Sequence, residues 1–181
     1  MAPWLIIVCG PSGGGKSSVA GPLSELLSLP VIAKDDLKEV LFDSLGWGDR
    51  ERSRALSDAA YRLMFHLAER HVAVGRSCIM EANFRPEAVA VFRDLAARSP
   101  FRAIRVRCFA TPEVLMKRIE RRAHEPLRHP GHLDAQLLPE AGKLIQEGAV
   151  DLEGPLIEVD TTDPRSVDVE GVARLIKQIM G

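Results

Sequence analysis

The chain has 181 residues, enough for one sizeable core and short for two, so a single domain over 1–181 is expected. Lys and Arg number 24 against 25 Asp and Glu, a net charge of −1, which disfavours the basic footprint of an extended nucleic-acid partner. No apolar run approaches the roughly 18 residues of a membrane span, and the first one has no basic flank, so a cytoplasmic chain is expected.

The apolar run Trp4–Cys9 reads as a first strand and leads directly into Gly10-Pro11-Ser12-Gly13-Gly14-Gly15-Lys16-Ser17. This spacing is that of a phosphate-binding loop, in which glycines let successive backbone N–H groups close around phosphates. Lys16 is placed to reach the β- and γ-phosphates, and the Ser17 hydroxyl to ligate Mg²⁺. The helical segment from Ser17 and Ser18 to Leu29 aims its positive end at the same anion. Gly10, Ser12, Gly13, Gly14, Gly15, Lys16, Ser17 and Ser18 are therefore the expected nucleotide-binding residues, with Lys16 also catalytic and Ser17 on the metal.

Val31–Ala33 predicts a second strand, and at its carboxyl end stands Lys34-Asp35-Asp36-Leu37-Lys38. A carboxylate at that edge suits a hydroxyl proton acceptor, or equally a cap for the next helix, and Asp35 stays open between the two. Asp36 reads as a cap or an indirect magnesium partner. Gly46-Trp47-Gly48 predicts a helix–helix turn, with Trp47 packed or stacking on an acceptor. Asp49–Val74 predicts one long helix, buried through Leu56, Ala60, Leu63, Leu67 and His71. Cys78–Met80 follows as a third strand and ends in Glu81-Ala82-Asn83, which bring an acid and an amide to the same rim for magnesium or acceptor binding.

Pro86 is expected to open the next helix. Ala103–Phe109 predicts the fourth strand, and Thr111-Pro112-Glu113 a helix start with Thr111 as cap. Arg118 and Arg122 are four apart and share a helix face, whereas Arg121 is left to solvent. Arg128-His129-Pro130-Gly131-His132 then completes an arginine-rich lid over about 121–134. With no cysteine nearby, His124, His129 and His132 read as solvated or phosphate-facing and not as metal ligands. Leu156–Val159 and Val167–Met180 supply a last strand and helix. The alternation predicts an α/β phosphate-loop NTPase fold, a five-stranded parallel sheet with helices on both faces. Cys9, Cys78 and Cys108 each fall in a strand and are expected to be buried free thiols in a reducing compartment.

The loop 10–17, Asp35-Asp36-Leu37-Lys38, Glu81-Ala82-Asn83 and Lys117-Arg118-Ile119-Glu120-Arg121-Arg122 together resemble the small P-loop kinases. The AAA_33-type kinases and the 5′-hydroxyl polynucleotide kinase domain are most similar, with zeta toxins and chloramphenicol phosphotransferases more distant. The likeness runs from Leu5 to about Asp134. It implies ATP and Mg²⁺ as cofactors, Asp35 as general base and Arg122 on the ATP phosphates, with Arg118 and Arg128 beside it. It also implies Asp35, Lys38, Glu81 and Asn83 around the acceptor, with Lys38 standing where the polynucleotide kinases hold an arginine. The expected activity is transfer of the γ-phosphoryl group to a hydroxyl of a small molecule. A 5′-hydroxyl nucleic-acid or nucleotide kinase is the first alternative, and a nucleotide-dependent switch without an acceptor the second. Acceptor identity, base preference and oligomeric state stay open.

Overall fold

A computed structural model describes residues 2–181. Five strands, β1 (Trp4–Cys9), β2 (Val31–Ala33), β3 (Cys78–Glu81), β4 (Arg102–Phe109) and β5 (Leu156–Asp160), form one parallel sheet in the order β2-β3-β1-β4-β5. The chain leaves β1 for one edge, returns through β3, and crosses to the other side for β4. β1 is thus the switch point at whose carboxyl end an α/β sheet opens a crevice. The fold class expected from the sequence is the one found.

Strand β1 is buried throughout, as a central parallel strand covered on both faces must be. Its residues alternate between two cores with the two-residue period of a strand. Leu5, Ile7 and Cys9 pack with Met64, Phe65, Phe84, Phe92 and Leu95. Trp4, Ile6 and Val8 pack with Val19, Leu23, Val172 and Ile176 on the opposite face. Helices α3 (Arg50–Ala73) and α4 (Ala88–Arg98) therefore cover one face, and α1 (Lys16–Leu27) covers the other together with the final helix Val169–Met180. Cys9, Cys78 and Cys108 are buried free thiols, and burial pushes Cys78 and Cys108 up to about 12.

Several local expectations shift. The buried stripe of α3 runs through Ser53, Leu56, Ser57, Ala60, Met64, Ala68 and Val72, whereas Leu63 and Leu67 are exposed. The helix advances 3.6 residues per turn, and serine and alanine, which an apolar count passes over, mark the true inner face. Pro86 lies in a turn closed by the Ala88 N–H to the Arg85 carbonyl at 2.9 Å, and the helix starts at Ala88. Thr111 does occupy the cap position of α5 (Pro112–Ala123), but its side chain makes no capping bond. The final helix begins at Val169, two residues later than expected, because Asp168 caps it by accepting from the Gly171 N–H at 2.8 Å. Between α5 and β5 the chain forms short helices not foreseen, α6 (Asp134–Leu137) and α7 (Ala141–Leu144), which makes the final helix α8. No helix among the described residues is long and apolar enough to cross a membrane.

Candidate functional site

The loop after β1 adopts the backbone that its glycines permit. Gly10 has φ 141°, and a Cβ there would lie 2.1 Å from the Cys108 carbonyl oxygen, so no side chain fits. Gly15, at φ 74°, sits in the left-handed region as the N-cap of α1. The Gly10, Ser12 and Gly14 N–H groups are used internally, by the Gly148, Leu144 and Pro11 carbonyls at 2.9, 3.2 and 3.1 Å. Gly13 and Gly15 have no such partner among the described residues, and the N–H groups of Lys16 and Ser17 in the first turn have none within the helix. Lys16 Nζ donates to the Pro11 carbonyl at 2.8 Å, and burial lowers its pKa against the pull of Glu81 and Asp35. A cluster of unpaired N–H donors and one buried ammonium fits an anion with several oxygens.

Behind the loop, β3 is the hydrogen-bonded neighbour of β1 and pairs Val8 with Glu81. That register delivers the Glu81 carboxylate to Ser17, whose hydroxyl donates to Oε2 at 3.0 Å. Burial raises the Glu81 pKa, and Lys16 opposes the rise. A hydroxyl and a carboxylate are oxygen donors of the kind that hold Mg²⁺ with substrate phosphates and water. The pair therefore fits the ion expected at Ser17, and among the described residues no cluster of three His, Cys, Asp or Glu side chains offers another site.

The two arginines sharing a face of α5 both reach the loop. Arg118 Nη1 donates to the Gly13 carbonyl at 3.0 Å and to Thr161 Oγ1 at 3.1 Å, and Nη2 donates to the Thr161 carbonyl. This ties the loop to the end of β5. Arg122 donates to Ser12 Oγ at 2.7 Å and pairs with Asp134 at 3.4 Å, while its buried Nε has no partner. Arg121 is exposed, as expected, and also lines the cavity.

Asp35 lines the same cavity from α2 (Lys34–Leu45), in the first turn and not at the cap, which is Ala33 with no side-chain bond. Its carboxylate pairs with Lys34 at 2.8 Å and with Arg128 at 3.3 Å. Burial pushes its pKa up, but Lys34, His132 and Arg128 outweigh that and hold it well below the usual carboxylate range. Arg128 is thus brought to Asp35, Glu39 and Asp134 rather than to the loop. Asp36 does not line the cavity; burial, Glu39 and Asp35 raise its pKa.

Lys38, one turn further along α2, is buried and donates to Ser53 Oγ at 3.1 Å; burial brings its pKa down to about 8. Asn83 lines the same space with its Oδ1 buried and unpartnered, while its carbonyl accepts from the Tyr61 hydroxyl at 2.6 Å. The sequence places acceptor specificity around Leu41 to Arg54 and Phe84 to Glu87 without singling out a side chain; the cavity takes Arg50, Ser53 and Arg54 from the first stretch and Arg85 from the second, and adds Ser57 and Tyr61 of α3, which sequence reasoning passed over. The spacing of three and four residues along α3 was the available signal. The segment expected as a solvated loop is packed: Gly131 lies against Phe42, the Ser53 hydroxyl donates to the Gly131 carbonyl at 2.8 Å, and His129 stacks on Phe42. His132 is buried against Glu39, and burial brings its pKa down to about 4, so it is neutral near pH 7. Trp47 does fall in the α2–α3 turn, half-exposed, edge-on to His129 and outside the cavity.

The whole cavity is about 650 Å³, within the range of small-molecule sites, and it opens at the carboxyl ends of β1, β2 and β3. A phosphate loop at the sheet's switch point, a Ser–Glu oxygen pair behind it and two arginines of α5 that donate to it define a P-loop protein of the small-kinase class. Residues 5–138 match the AAA_33 family model, an AAA domain. The chain belongs to that family and is a small P-loop kinase. A candidate kinase from Chloroflexus aurantiacus is 34% identical over 99% of both chains, with a TM-score of 0.87. The fold is shared more distantly with the APS kinase CysC of Mycobacterium tuberculosis, solved with AMPPNP and APS, at 20% identity and TM-score 0.59 over 99% of this chain and 97% of that one. A sugar kinase from Janibacter sp. HTCC2649 is 15% identical at TM-score 0.58, over 99% of this chain and 95% of that one. No curated protein sequence matches the chain significantly.

Proposed function

We propose that the chain is an ATP-dependent kinase that transfers the γ-phosphoryl group to a hydroxyl of a small-molecule acceptor, all within one domain. The observation that carries this reading is that Lys16, from the phosphate loop, and Asp35, from α2, line one cavity. Gly13, Gly15, Lys16 and Ser17 would bind the phosphates, and the orphaned Nε of Arg122 gives that side chain a free donor for them. Arg118 would act through the loop it holds, while Ser17 and Glu81 would hold Mg²⁺. That ion, when bound, neutralises charge on the β- and γ-phosphates.

On the acceptor side Asp35 would receive the attacking hydroxyl. The hydroxyl oxygen forms a bond to the γ-phosphorus as the bond to ADP breaks, and the hydroxyl proton passes to Asp35. A carboxylate held at low pKa is a weak base, so its contribution is mainly to orient the hydroxyl before a loose transition state and to take the proton late. Ion pairing of Arg122 and Arg128 through Asp134 supports a lid that would lie over both sides and exclude water.

The test is acceptor-dependent ADP formation across nucleosides, sugars, hydroxy acids, aminoglycosides and 5′-hydroxyl oligonucleotides. One small-molecule class should stimulate turnover, and Lys16→Ala should remove it. Stimulation by oligonucleotides alone would replace the acceptor proposed, and ADP release that no acceptor alters would leave a nucleotide-dependent switch.

A further inference from the structure

Lys38 is 7% exposed, and its ammonium has one hydroxyl partner, Ser53 Oγ at 3.1 Å, with the Phe42 ring 5.0 Å below it. Among the described residues it has no carboxylate within ion-pair distance, although lysines this buried are ordinarily paired. From the facing helix, Arg50, Ser53, Arg54, Ser57 and Tyr61 line the same part of the cavity at steps of three and four residues. Arg54 likewise has no ion pair. The acids nearby are engaged: Asp35 with Lys34 and Arg128, Glu140 with Arg50, and Glu147 with Lys143 at 4.0 Å.

What this wall leaves free is the Lys38 ammonium, the Arg54 guanidinium and the Ser57 hydroxyl, since Ser53 and Tyr61 donate to the Gly131 and Asn83 carbonyls. A neutral polyol calls for carboxylates and amides that accept from its hydroxyls, and the buried acceptor without a partner here is the amide oxygen of Asn83. We propose that the phosphoryl acceptor is a small hydroxy compound that also carries an anionic group, a carboxylate or a phosphate, received by Lys38 and Arg54. This rests on the kinase reading above and narrows its substrate.

The placement also sets a size. Lys38 follows Asp35 by three residues on α2, so their Cβ atoms are about 5–6 Å apart on one helix face. The hydroxyl held at Asp35 and the anionic group at Lys38 therefore belong to a compact molecule, with Asn83 and Ser57 free for a second hydroxyl. Burial that depresses the Lys38 ammonium acts in the same direction, since an arriving anion restores what the site has taken from it.

Calorimetric titration of the full chain saturated with Mg-AMPPNP tests this with four probes: D-gluconate and glycerol 3-phosphate against the neutral D-glucitol and glycerol. At least one anion should bind about tenfold or more tightly than its neutral counterpart, and the ratio of the two anions tells carboxylate from phosphate. Lys38→Met should lose that preference. Arg54→Ala, a change at an exposed position that leaves the core intact, should weaken anion binding about three- to fivefold with AMPPNP affinity unchanged. Failure of AMPPNP to bind would bring down the kinase reading itself. Normal AMPPNP binding with neutral probes as tight as anions, with no anion binding, or with anion binding untouched by both substitutions would overturn this inference alone.

Discussion

The proposed phosphate side and the proposed acceptor side of the cavity are built by different means. Eight consecutive residues, Gly10 to Ser17, make the first, and most of its donors are backbone N–H groups whose directions are set by glycine conformations. The second gathers Lys34, Asp35 and Lys38 from α2, Arg50 to Tyr61 from α3, Asn83 and Arg85 after β3, and Arg128 and Asp134 from the lid. Its groups are side chains, several held by ion pairs, as Asp35 and Arg128 are, and others, such as Lys38, held by a hydroxyl. Backbone binding fixes a chemistry shared by every triphosphate, whereas charged side chains on separate elements can be exchanged to suit one acceptor. Damage to the first side should therefore abolish turnover, and damage to the second should alter which acceptor is used and how fast.

The largest effect expected is from Lys16→Ala, with turnover reduced about 10³-fold or more and ATP affinity weakened far more than adenosine affinity. Equal ATP affinity in mutant and wild type by calorimetry would sink the phosphate-side assignment. Next, Asp35→Asn should lower kcat about 10²-fold with ATP affinity nearly unchanged, and Asp36→Asn should cost less than about tenfold. The reverse order would move the acceptor role by one residue and erase the contrast between the two sides.

The two arginines of α5 sharpen the comparison. Arg122→Ala should reduce kcat by up to about 10²-fold with a smaller loss of ATP affinity, because in the proposed reaction its guanidinium would meet developing charge. Arg118→Ala should instead destabilise the fold by on the order of 2 kcal/mol, since its charged donors hold the loop to Thr161. Thermal melts and kinetics on both proteins separate the roles, and a melt unchanged in Arg118→Ala contradicts the second.

The smallest effect is a pH dependence. Burial, with Lys34 and Arg128 adding to it and Asp35 and Asp134 opposing, lowers Lys38 from 10.5 to about 8 in the fold. Between about pH 8 and 10.5 the unfolded chain binds the extra proton, so this residue's destabilising contribution is relieved as pH rises through that window. Affinity for an anionic acceptor should fall across the same midpoint. Lys38→Met should flatten both profiles, and a wild-type profile flat to pH 10 would mean that the ammonium stays charged.

The two sides also differ in how far the sequence discloses them. The loop, its strand and its helix were legible because the signal is contiguous and each glycine answers a local backbone need. Register delivers Glu81 to Ser17, and only the strand order reveals that β3 lies beside β1. Arg128 was legible as a lid cation, but its pairing with Asp35 spans 93 residues and depends on how the lid packs on Phe42. The part of the α3 wall beyond Arg54, Ser57 and Tyr61, escaped notice because that helix was read by its leucines, and Ser57 is a buried polar residue. Asp134, which joins Arg122 to Arg128, gives no signal in sequence, since an acid at a helix start is common.

The central claim is transfer from the loop to a hydroxyl at Asp35, and ³¹P NMR of Mg-ATP turnover with an acceptor panel tests it most directly. The account predicts a new phosphate-ester resonance appearing in step with ADP, dependent on one class of acceptor and suppressed about 10²-fold in Asp35→Asn. Inorganic phosphate and ADP alone, formed at the same rate without acceptor and in Asp35→Asn, would contradict it.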